Sequence, residues 1–352
     1  MIRSLQITRR TALGACVALA ACKTTSAGPA KEAPKESELD LPPPHQTSAR
    51  MPTRLLGKTG VRVSIVGLGG YHIGLQKDEA ESIQIVRAAV ERGITFLDNC
   101  WDYNKGASEE RMGKALAGGY REKVFLMTKL DGRTRDVALA QLDQSMKRLR
   151  TDVIDLVQLH EIIRPGDPAA CFAPGGCVEA LIEAKKQGRI RFIGFTGHKH
   201  PDIHLAMLAA ADAHGFTFDT VQMPLNVMDA HFLSFEKHVL PVLVQKGIGV
   251  LGMKALGAGK LLVSNVVTAR ECLNYALNLP TSVVVTGCDS LGVLEQAIDV
   301  ALKFQPMAPQ AVAELLARTS DAAKEGRFEK FKTAKDHDGT DQNPQWLTST
   351  KL

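Results

Sequence analysis

Residues 124–160 read VFLMTKLDGRTRDVALAQLDQSMKRLRTDVIDLVQLH, and this stretch indicates the class of fold. A short apolar run opens it at Val124–Lys129 and a second closes it at Ile154–His160, and we predict both as strands. Between them, Val137–Leu149 has a helical pattern. Short strands that are apolar throughout are typical of a parallel sheet buried on both faces, so the stretch predicts a strand–helix–strand unit.

The same alternation extends in both directions along the chain. Eight apolar strands each precede a helical pattern within about 250 residues, which favours an α/β fold with a closed (β/α)8 TIM barrel over an open doubly wound sheet. A hairpin at Arg54–Val63 precedes the barrel, and Gly67-Leu68-Gly69-Gly70 lacks the G-x-G-x-x-G spacing of a Rossmann domain. We place the barrel at 51–305. The predicted strands are Ser64–Leu68, Thr95–Asp98, Val124–Lys129, Ile154–His160, Arg191–Thr196, Thr220–Met223, Gly249–Met253 and Val283–Thr286.

The composition is that of a globular protein. The chain has 352 residues, of which 45% are hydrophobic and 23% charged, and these proportions exclude collagen, coiled coil and wholesale disorder. The net charge is +5, and Arg3, Arg9 and Arg10 supply three positive charges before the first acidic residue, Glu32. The rest of the chain is nearly balanced, so the charge gives no argument for binding nucleic acid.

The first fifty residues predict export and a tether. A basic segment containing Arg9-Arg10 precedes the apolar stretch Ala12–Ala21, which is too short to span a bilayer and predicts a signal peptide at 1–21. The paired arginines favour the twin-arginine route, with a Sec signal as the alternative. Leu19-Ala20-Ala21-Cys22 resembles a lipobox, so Cys22 is a predicted acylation site of a periplasmic or membrane-anchored lipoprotein, unless it stays unmodified. Residues 22–50, rich in Pro, Lys, Glu and Ser, predict a disordered tether.

Four residues with chemistry follow consecutive predicted strands. Asp98, Lys129 and His160 end the second, third and fourth strands, and Tyr103 lies in the loop just after Asp98. The carboxyl ends of barrel strands and the loops that follow them share one mouth, where barrel enzymes carry their active sites. We therefore expect these four side chains to converge on one rim.

The residues around these positions resemble the aldo-keto reductases. The pieces that carry the resemblance are FLDNCWDY at 96–103, SEERMG at 108–113, GKTGVRVS at 57–64, LMTK at 126–129 and LVQLH at 156–160. It implies an NAD(P)H-dependent oxidoreductase that reduces an aldehyde or ketone to an alcohol. Tyr103 would donate the proton, Lys129 would stabilise its phenolate, Asp98 would hold Lys129, and His160 would bind the substrate oxygen. A dinucleotide-binding module for sensing or scaffolding, with little turnover, is the alternative.

The resemblance also assigns cofactor positions, although only some of them match the family pattern. Gln222 matches the family glutamine that binds the nicotinamide carboxamide, whereas Thr196-Gly197-His198 departs from the usual Ser-Asn. Met253 would pack on the nicotinamide ring in place of an aromatic residue, and Lys254 would meet phosphate or substrate. NADP is the expected cofactor and NAD is possible, since Asp289 would repel a 2′-phosphate. The remaining predicted cofactor positions are Gly257, Gly259, Gly287 and Ser290.

The cysteines and the C-terminal residues predict less. Cys171 and Cys177 bracket a short loop and would form a disulfide after export or remain free thiols. No C-x2-C pair supports zinc, and we expect no metal site. We expect the C-terminal extension, 306–352, to cover part of the barrel, with a helix at Gln310–Lys324 and an irregular end.

Overall fold

The computed structural model describes residues 50–350. The predicted signal peptide at 1–21, the acylation site Cys22 and the tether, except Arg50, lie outside the described residues. Within the described range, no helix has both the length and the apolar character that crossing a bilayer requires.

Eight parallel strands form a closed barrel, which confirms the predicted (β/α)8 fold. Each strand pairs with its neighbours along the chain, and the last pairs with the first. The observed bounds differ from the predicted ones by at most two residues. The strands are β3 Val66–Gly69, β4 Phe96–Asp98, β5 Phe125–Leu130, β6 Ile154–Leu159, β7 Ile190–Thr196, β8 Thr220–Pro224, β9 Gly249–Met253 and β10 Val283–Gly287.

Alternating side chains fill the two sides of the barrel wall. In β5, Phe125 and Met127 join the cluster inside the barrel, whereas Leu126 between them joins the cluster that faces the helices. Phe96 from β4 stacks on Phe125 with ring centroids 5.5 Å apart. Both faces of these strands are therefore buried, which is why the sequence shows continuous apolar runs instead of a polar–apolar alternation.

A hairpin closes the amino end of the barrel. Its strands, β1 Thr53–Leu55 and β2 Arg62–Ser64, pair antiparallel, and Leu56 between them is fully buried in the interior cluster. The backbone N–H of Lys58 donates to the carbonyl of Gly247, just before β9, at 3.0 Å. These contacts hold the hairpin against the first residues of the barrel strands.

The helices surround the barrel in chain order. The helical segment at residues 235–246 is divided in two at Val239, because Pro241 lacks the backbone N–H that a continuous helix would use. The helices before the extension are α1 Glu79–Glu91, α2 Ala107–Ala115, α3 Arg135–Leu149, α4 Asp167–Phe172, α5 Cys177–Lys186, α6 Pro201–Ala213, α7 Phe235–His238, α8 Leu240–Lys246, α9 Ala269–Asn278 and α10 Leu291–Leu302.

The C-terminal extension crosses the carboxyl end of the barrel. Asp338 in the extension contacts His198, which follows β7, and the Thr340 N–H donates to Glu161, which follows β6, at 2.7 Å. Instead of the irregular end that we expected, short helices continue almost to the last described residue. They are α11 Pro309–Thr319, α12 Lys330–Thr333, α13 Gly339–Gln342 and α14 Gln345–Thr348.

Candidate active site

Strands β4 and β5, together with the segment that follows β4, bring Tyr103, the predicted proton donor, close to Lys129. Beyond the end of β4 the backbone continues alongside β5, because the Asn99 N–H donates to Met127 and the Trp101 N–H donates to Lys129, both at 3.0 Å. Tyr103 then begins a tight turn, Tyr103–Gly106, whose two central residues, Asn104 and Lys105, have positive φ angles of 53° and 57°. This extra pairing carries Tyr103 back over the end of β5.

Lys129 is the centre of the resulting site. Its Nζ forms an ion pair with Asp98 and donates to the backbone oxygen of Asn99 at 2.8 Å and to Tyr103 Oη at 3.1 Å. The ammonium is 1% exposed and has these three oxygen partners. Burial together with an ion pair fixes the position of the charge, because a buried cation is stable only when it is paired and hydrogen-bonded.

The Tyr103 hydroxyl retains its proton in this environment. Burial raises its pKa well above the usual range, and the charge of Asp98 raises it further. The Lys129 ammonium favours the phenolate, as expected from the sequence, but burial is the larger effect here. A protonated phenol that contacts an ammonium is suited to donate a proton, and not to act as a base.

His160 lies on the other side of Tyr103 and is held by carboxylates. The two rings meet edge to face, with centroids 5.9 Å apart. Its Nδ1 lies 2.9 Å from Asp131 Oδ1 and 3.6 Å from Asp102 Oδ1. Burial disfavours the charged imidazole, but Asp102 and Asp131 outweigh burial and raise the pKa of His160.

Sequence reasoning missed both of these carboxylates. Asp102 directly precedes Tyr103 in the loop after the second predicted strand, and Asp131 follows Lys129 by two positions. Burial raises the pKa of Asp102 to about 6, and the neighbouring charge of Asp131 raises it as well. Proximity in sequence to the catalytic candidates was the one available signal.

Gln222 belongs to the same group of side chains. Its amide nitrogen donates to Asp98 Oδ2 at 2.8 Å, so one carboxylate connects Lys129 with the glutamine at the end of β8. The other amide atom, Gln222 Oε1, is buried and has no hydrogen-bond partner among the described residues. An unpaired acceptor of this kind fits a ligand that brings an N–H donor, such as a carboxamide.

Two further cofactor candidates lie close to each other at the mouth. Thr196 Oγ1 is 4.0 Å from the sulfur of Met253. Lys254, the next residue, has a positive φ of 59°, and its ammonium lies 5.5 Å from the centre of the Phe331 ring in the extension. Within residues 50–350 its ammonium has no hydrogen bond or ion pair, and burial lowers its pKa. An unpaired, half-buried cation suits an anionic ligand.

The remaining candidates have structural roles that the sequence did not indicate. A side chain at Gly287 would meet His72 at 2.1 Å, and one at Gly257 would meet Leu261 at the same distance. Ser290 caps α10, since its hydroxyl accepts from the Val293 N–H at 3.3 Å. Gly259 has a φ of 81°. The cofactor role of these four positions stays a prediction.

His198, where the sequence departs from the family pattern, holds the extension. Its Nε2 lies 3.0 Å from Asp338, and Asp338 also pairs with Lys199 at 2.7 Å.

Cys171 and Cys177 are both free and fully buried. Their thiols contact each other, and the hydrogen bond from Cys177 lowers the pKa of Cys171.

Comparisons with known proteins agree on one family. The sequence profile of the Aldo/keto reductase family matches residues 65–314. Aldo-keto reductase YhdN of Bacillus subtilis (strain 168) is 32% identical over 223 residues, which are 58% of this chain and 62% of YhdN. Aldo-keto reductase AFTS1 of Alternaria alternata is 28% identical over 255 residues, which are 61% of this chain and 67% of AFTS1.

A solved structure shows the same fold. The holo form of aldo-keto reductase AKR11C1 from Bacillus halodurans matches with a TM-score of 0.64 at 22% identity, and the match covers 78% of this chain and 99% of that one.

Proposed function

The chain belongs to the aldo/keto reductase family of NAD(P)-dependent oxidoreductases, and on this premise we propose that it reduces an aldehyde or ketone to an alcohol. The observation that carries the proposal is the double contact of Lys129, with Tyr103 Oη at 3.1 Å and with the carboxylate of Asp98. Reduction of a carbonyl needs a proton donor at its oxygen, and a phenol next to a fixed cation meets that need.

In the proposed mechanism, Tyr103 donates its proton to the carbonyl oxygen. The bound nicotinamide cofactor supplies the hydride. Lys129 stabilises the phenolate that remains, and Asp98 and the Asn99 carbonyl keep the ammonium in place. Burial strengthens this charge stabilisation, because the attraction between opposite charges grows when water is excluded.

His160 orients the substrate in this proposal. The raised pKa of His160 favours the ring with a proton on both nitrogens, so Nδ1 donates to Asp131 and Nε2 is left to donate to the carbonyl oxygen. The edge-to-face contact with Tyr103 supports this role, since both side chains would then reach one oxygen atom.

The residues at the mouth fit a dinucleotide. Gln222 Oε1, buried and unpaired within the described residues, would accept from the carboxamide, and Thr196 and Met253 flank the same end of the barrel. Lys254 provides a cation for phosphate. NADP is the proposed cofactor and NAD the alternative, because Asp289 lies near the start of α10. The solved relative AKR11C1 is in its holo form.

We also retain export as part of the proposal, on the sequence alone. Arg9-Arg10 and Cys22 support twin-arginine export followed by acylation. Replacing both arginines with lysine should keep the protein in the cytoplasm, and Cys22→Ser should release it from membranes. Normal export of the first variant would refute the route, and continued membrane attachment of the second would refute the anchor.

Substitution of the proton donor tests the function. Tyr103→Phe should lower kcat for an aromatic aldehyde with NADPH by roughly 10² to 10⁴. The dissociation constant for NADPH, measured by cofactor fluorescence, should stay unchanged, because the ring remains and the dinucleotide contacts are elsewhere. Tyr120→Phe is the matched control, since the hydroxyl of Tyr120 contacts Glu91 on the outer surface. Undiminished turnover by Tyr103→Phe would refute the assignment, and tight binding of NADPH with no turnover by the unaltered protein would refute the reductase.

A further inference from the structure

A second cluster of largely buried side chains adjoins the Tyr103–Lys129 group. It surrounds Nδ1 of His160, whereas the substrate is proposed to bind at Nε2. Three potential ligand atoms surround Nδ1: Asp131 Oδ1 at 2.9 Å, Cys100 Sγ at 3.3 Å and Asp102 Oδ1 at 3.6 Å. All four atoms lie within 4.8 Å of one another. The cluster therefore joins an imidazole, a thiol and two carboxylates around one small volume.

Hydrogen bonding within the protein does not satisfy this cluster. Nδ1 carries at most one proton, so it can donate to one of its three neighbours. Asp131 is fully buried, yet its Oδ2 has no hydrogen-bond partner among residues 50–350, and the same is true of Asp102 Oδ1. Buried carboxylate oxygens without a hydrogen bond are costly, and proteins compensate such atoms with a counter-charge or a metal ion.

We propose that Cys100, Asp102, Asp131 and His160 form a binding site for a divalent transition-metal ion, with zinc as the best match. One sulfur, one nitrogen and two oxygen donors are a ligand set that zinc accepts in tetrahedral geometry. The proposal goes beyond the reductase function and is independent of the cofactor.

The distances agree with tetrahedral coordination. With zinc bonds of about 2.0 Å to oxygen or nitrogen and about 2.3 Å to sulfur, neighbouring ligand atoms lie about 3.3 to 3.6 Å apart. The three separations at His160 Nδ1, 2.9, 3.3 and 3.6 Å, bracket that range. The other pairs of ligand atoms lie within 4.8 Å of one another, so the side chains would draw together around the ion.

The ion would also orient His160. A metal on Nδ1 would replace the proton that otherwise donates to Asp131 and would leave the ring proton on Nε2, which is the tautomer that donates a hydrogen bond from the nitrogen facing the substrate. No sequence motif indicates the site, because its ligands follow three different strands and no spacing between them matches a metal motif.

Cobalt is the probe that tests the site directly. Full-length protein is freed of metal with a chelator, kept reduced and titrated with Co²⁺ while the absorption spectrum is recorded. We expect one ion per chain, a thiolate-to-cobalt charge-transfer band in the near ultraviolet and intense visible bands typical of tetrahedral cobalt. Zinc should displace the cobalt and abolish these bands, and it should raise the melting temperature.

Variants identify the ligands without relying on turnover. Cys100→Ser should lose the charge-transfer band, and Asp131→Asn should weaken cobalt binding by roughly tenfold or more. Cys272→Ser is the matched control, because Cys272 is equally buried but lies in another cluster, and it should keep the full spectrum.

Each unfavourable result overturns the proposal. Absence of stoichiometric cobalt binding by the unaltered protein would show that the carboxylates share a proton instead. A charge-transfer band that survives in Cys100→Ser, or disappears in Cys272→Ser, would show that cobalt binds elsewhere. If Cys100→Ser does not fold, as judged by circular dichroism, Asp102→Asn replaces it, and unchanged cobalt affinity in that variant counts against the site. Because these measurements omit NADPH, failure of the metal site leaves the reductase proposal standing.

Discussion

The two ends of the barrel are closed in different ways. At the amino end the hairpin inserts Leu56 and Val63 into an apolar cluster, and both side chains are fully buried. At the carboxyl end the barrel carries buried charges, and the C-terminal extension covers them with further polar contacts, such as that of Thr340 with Glu161. One end is sealed by packing and the other by hydrogen bonds and ion pairs.

The difference shows how stability and function are divided in this molecule. Apolar contacts are non-directional and individually replaceable, so the amino end supports the fold without specifying any chemistry. Buried charges each need a particular partner, because an unpaired one is costly. The carboxyl end therefore depends on single residues, and this dependence is what makes it suitable for catalysis.

Removal of the central cation should have the largest effect. Lys129→Met leaves Asp98 buried without its partner and removes the charge beside Tyr103. We expect kcat for an aromatic aldehyde to fall by roughly 10² to 10⁴, as for the loss of an acid–base group, in steady-state assays with NADPH. The control is Lys123→Met, because Lys123 contacts the ring of Tyr120 on the outside. Full activity in Lys129→Met would contradict the conclusion that catalysis depends on single charged residues at the carboxyl end of the barrel.

The stability of the protein should also depend on the buried charges of the C-terminal extension. Lys332 is fully buried and pairs with Asp229 at 2.6 Å and with Glu329 at 3.1 Å. Lys332→Met leaves two like charges buried, and we expect a loss of about 3 to 5 kcal/mol in the free energy of unfolding, measured with urea. The exposed neighbour provides the comparison, since Lys330→Met should have little effect. Equal stability of both variants would mean that the extension is not held by its ion pairs.

A cavity at the amino end should affect stability alone. Leu56→Ala removes a fully buried side chain from the interior cluster, and we expect a loss of about 2 to 5 kcal/mol in urea denaturation. Leu55→Ala is a strict control, because the adjacent leucine is 52% exposed and should change stability by less than about 0.5 kcal/mol. Turnover per folded molecule should be unaffected in both, and a large drop in kcat for Leu56→Ala would contradict the division of roles.

The pH dependence of stability should reveal the titration of one side chain, Glu236 in α7. Burial raises the pKa of Glu236 to about 7, and its oxygen accepts from the Tyr275 hydroxyl at 2.8 Å. Because the folded protein holds this proton up to a higher pH than the unfolded chain, stability should fall as the pH rises from about 4.5 to 7.

Replacing that carboxyl should flatten this pH dependence. Glu236→Gln keeps the hydrogen bond and removes the titration, so we expect the variant to gain at most about 3 kcal/mol at pH 8 and nothing near pH 4. Denaturation at both values checks this expectation. A variant that is no more stable than the unaltered protein at pH 8 would show that Glu236 titrates normally.

The sequence predicted the barrel well and the site in part. Strand bounds followed from apolar runs, because strands buried on both faces admit few polar residues. The placement of Asp98, Tyr103 and Lys129 at strand ends followed from the fold, and the structure brings these side chains into contact. Asp102 and Asp131 could not be assigned, since an isolated aspartate in a loop is usually solvated and no pattern distinguishes a buried one.

The sequence by itself determined those features of the protein that have a regular local pattern. The repeated apolar runs and helical patterns specify eight strand–helix units, and a parallel sheet of such units buries both faces only when closed or covered on each side. Which polar groups meet at His160, why the Lys254 ammonium has no ion pair among residues 50–350 and how the extension reaches Glu161 were decided by the tertiary structure. Those contacts join residues far apart in the chain, where burial and electrostatic pairing act, and neither leaves a periodic trace in the sequence.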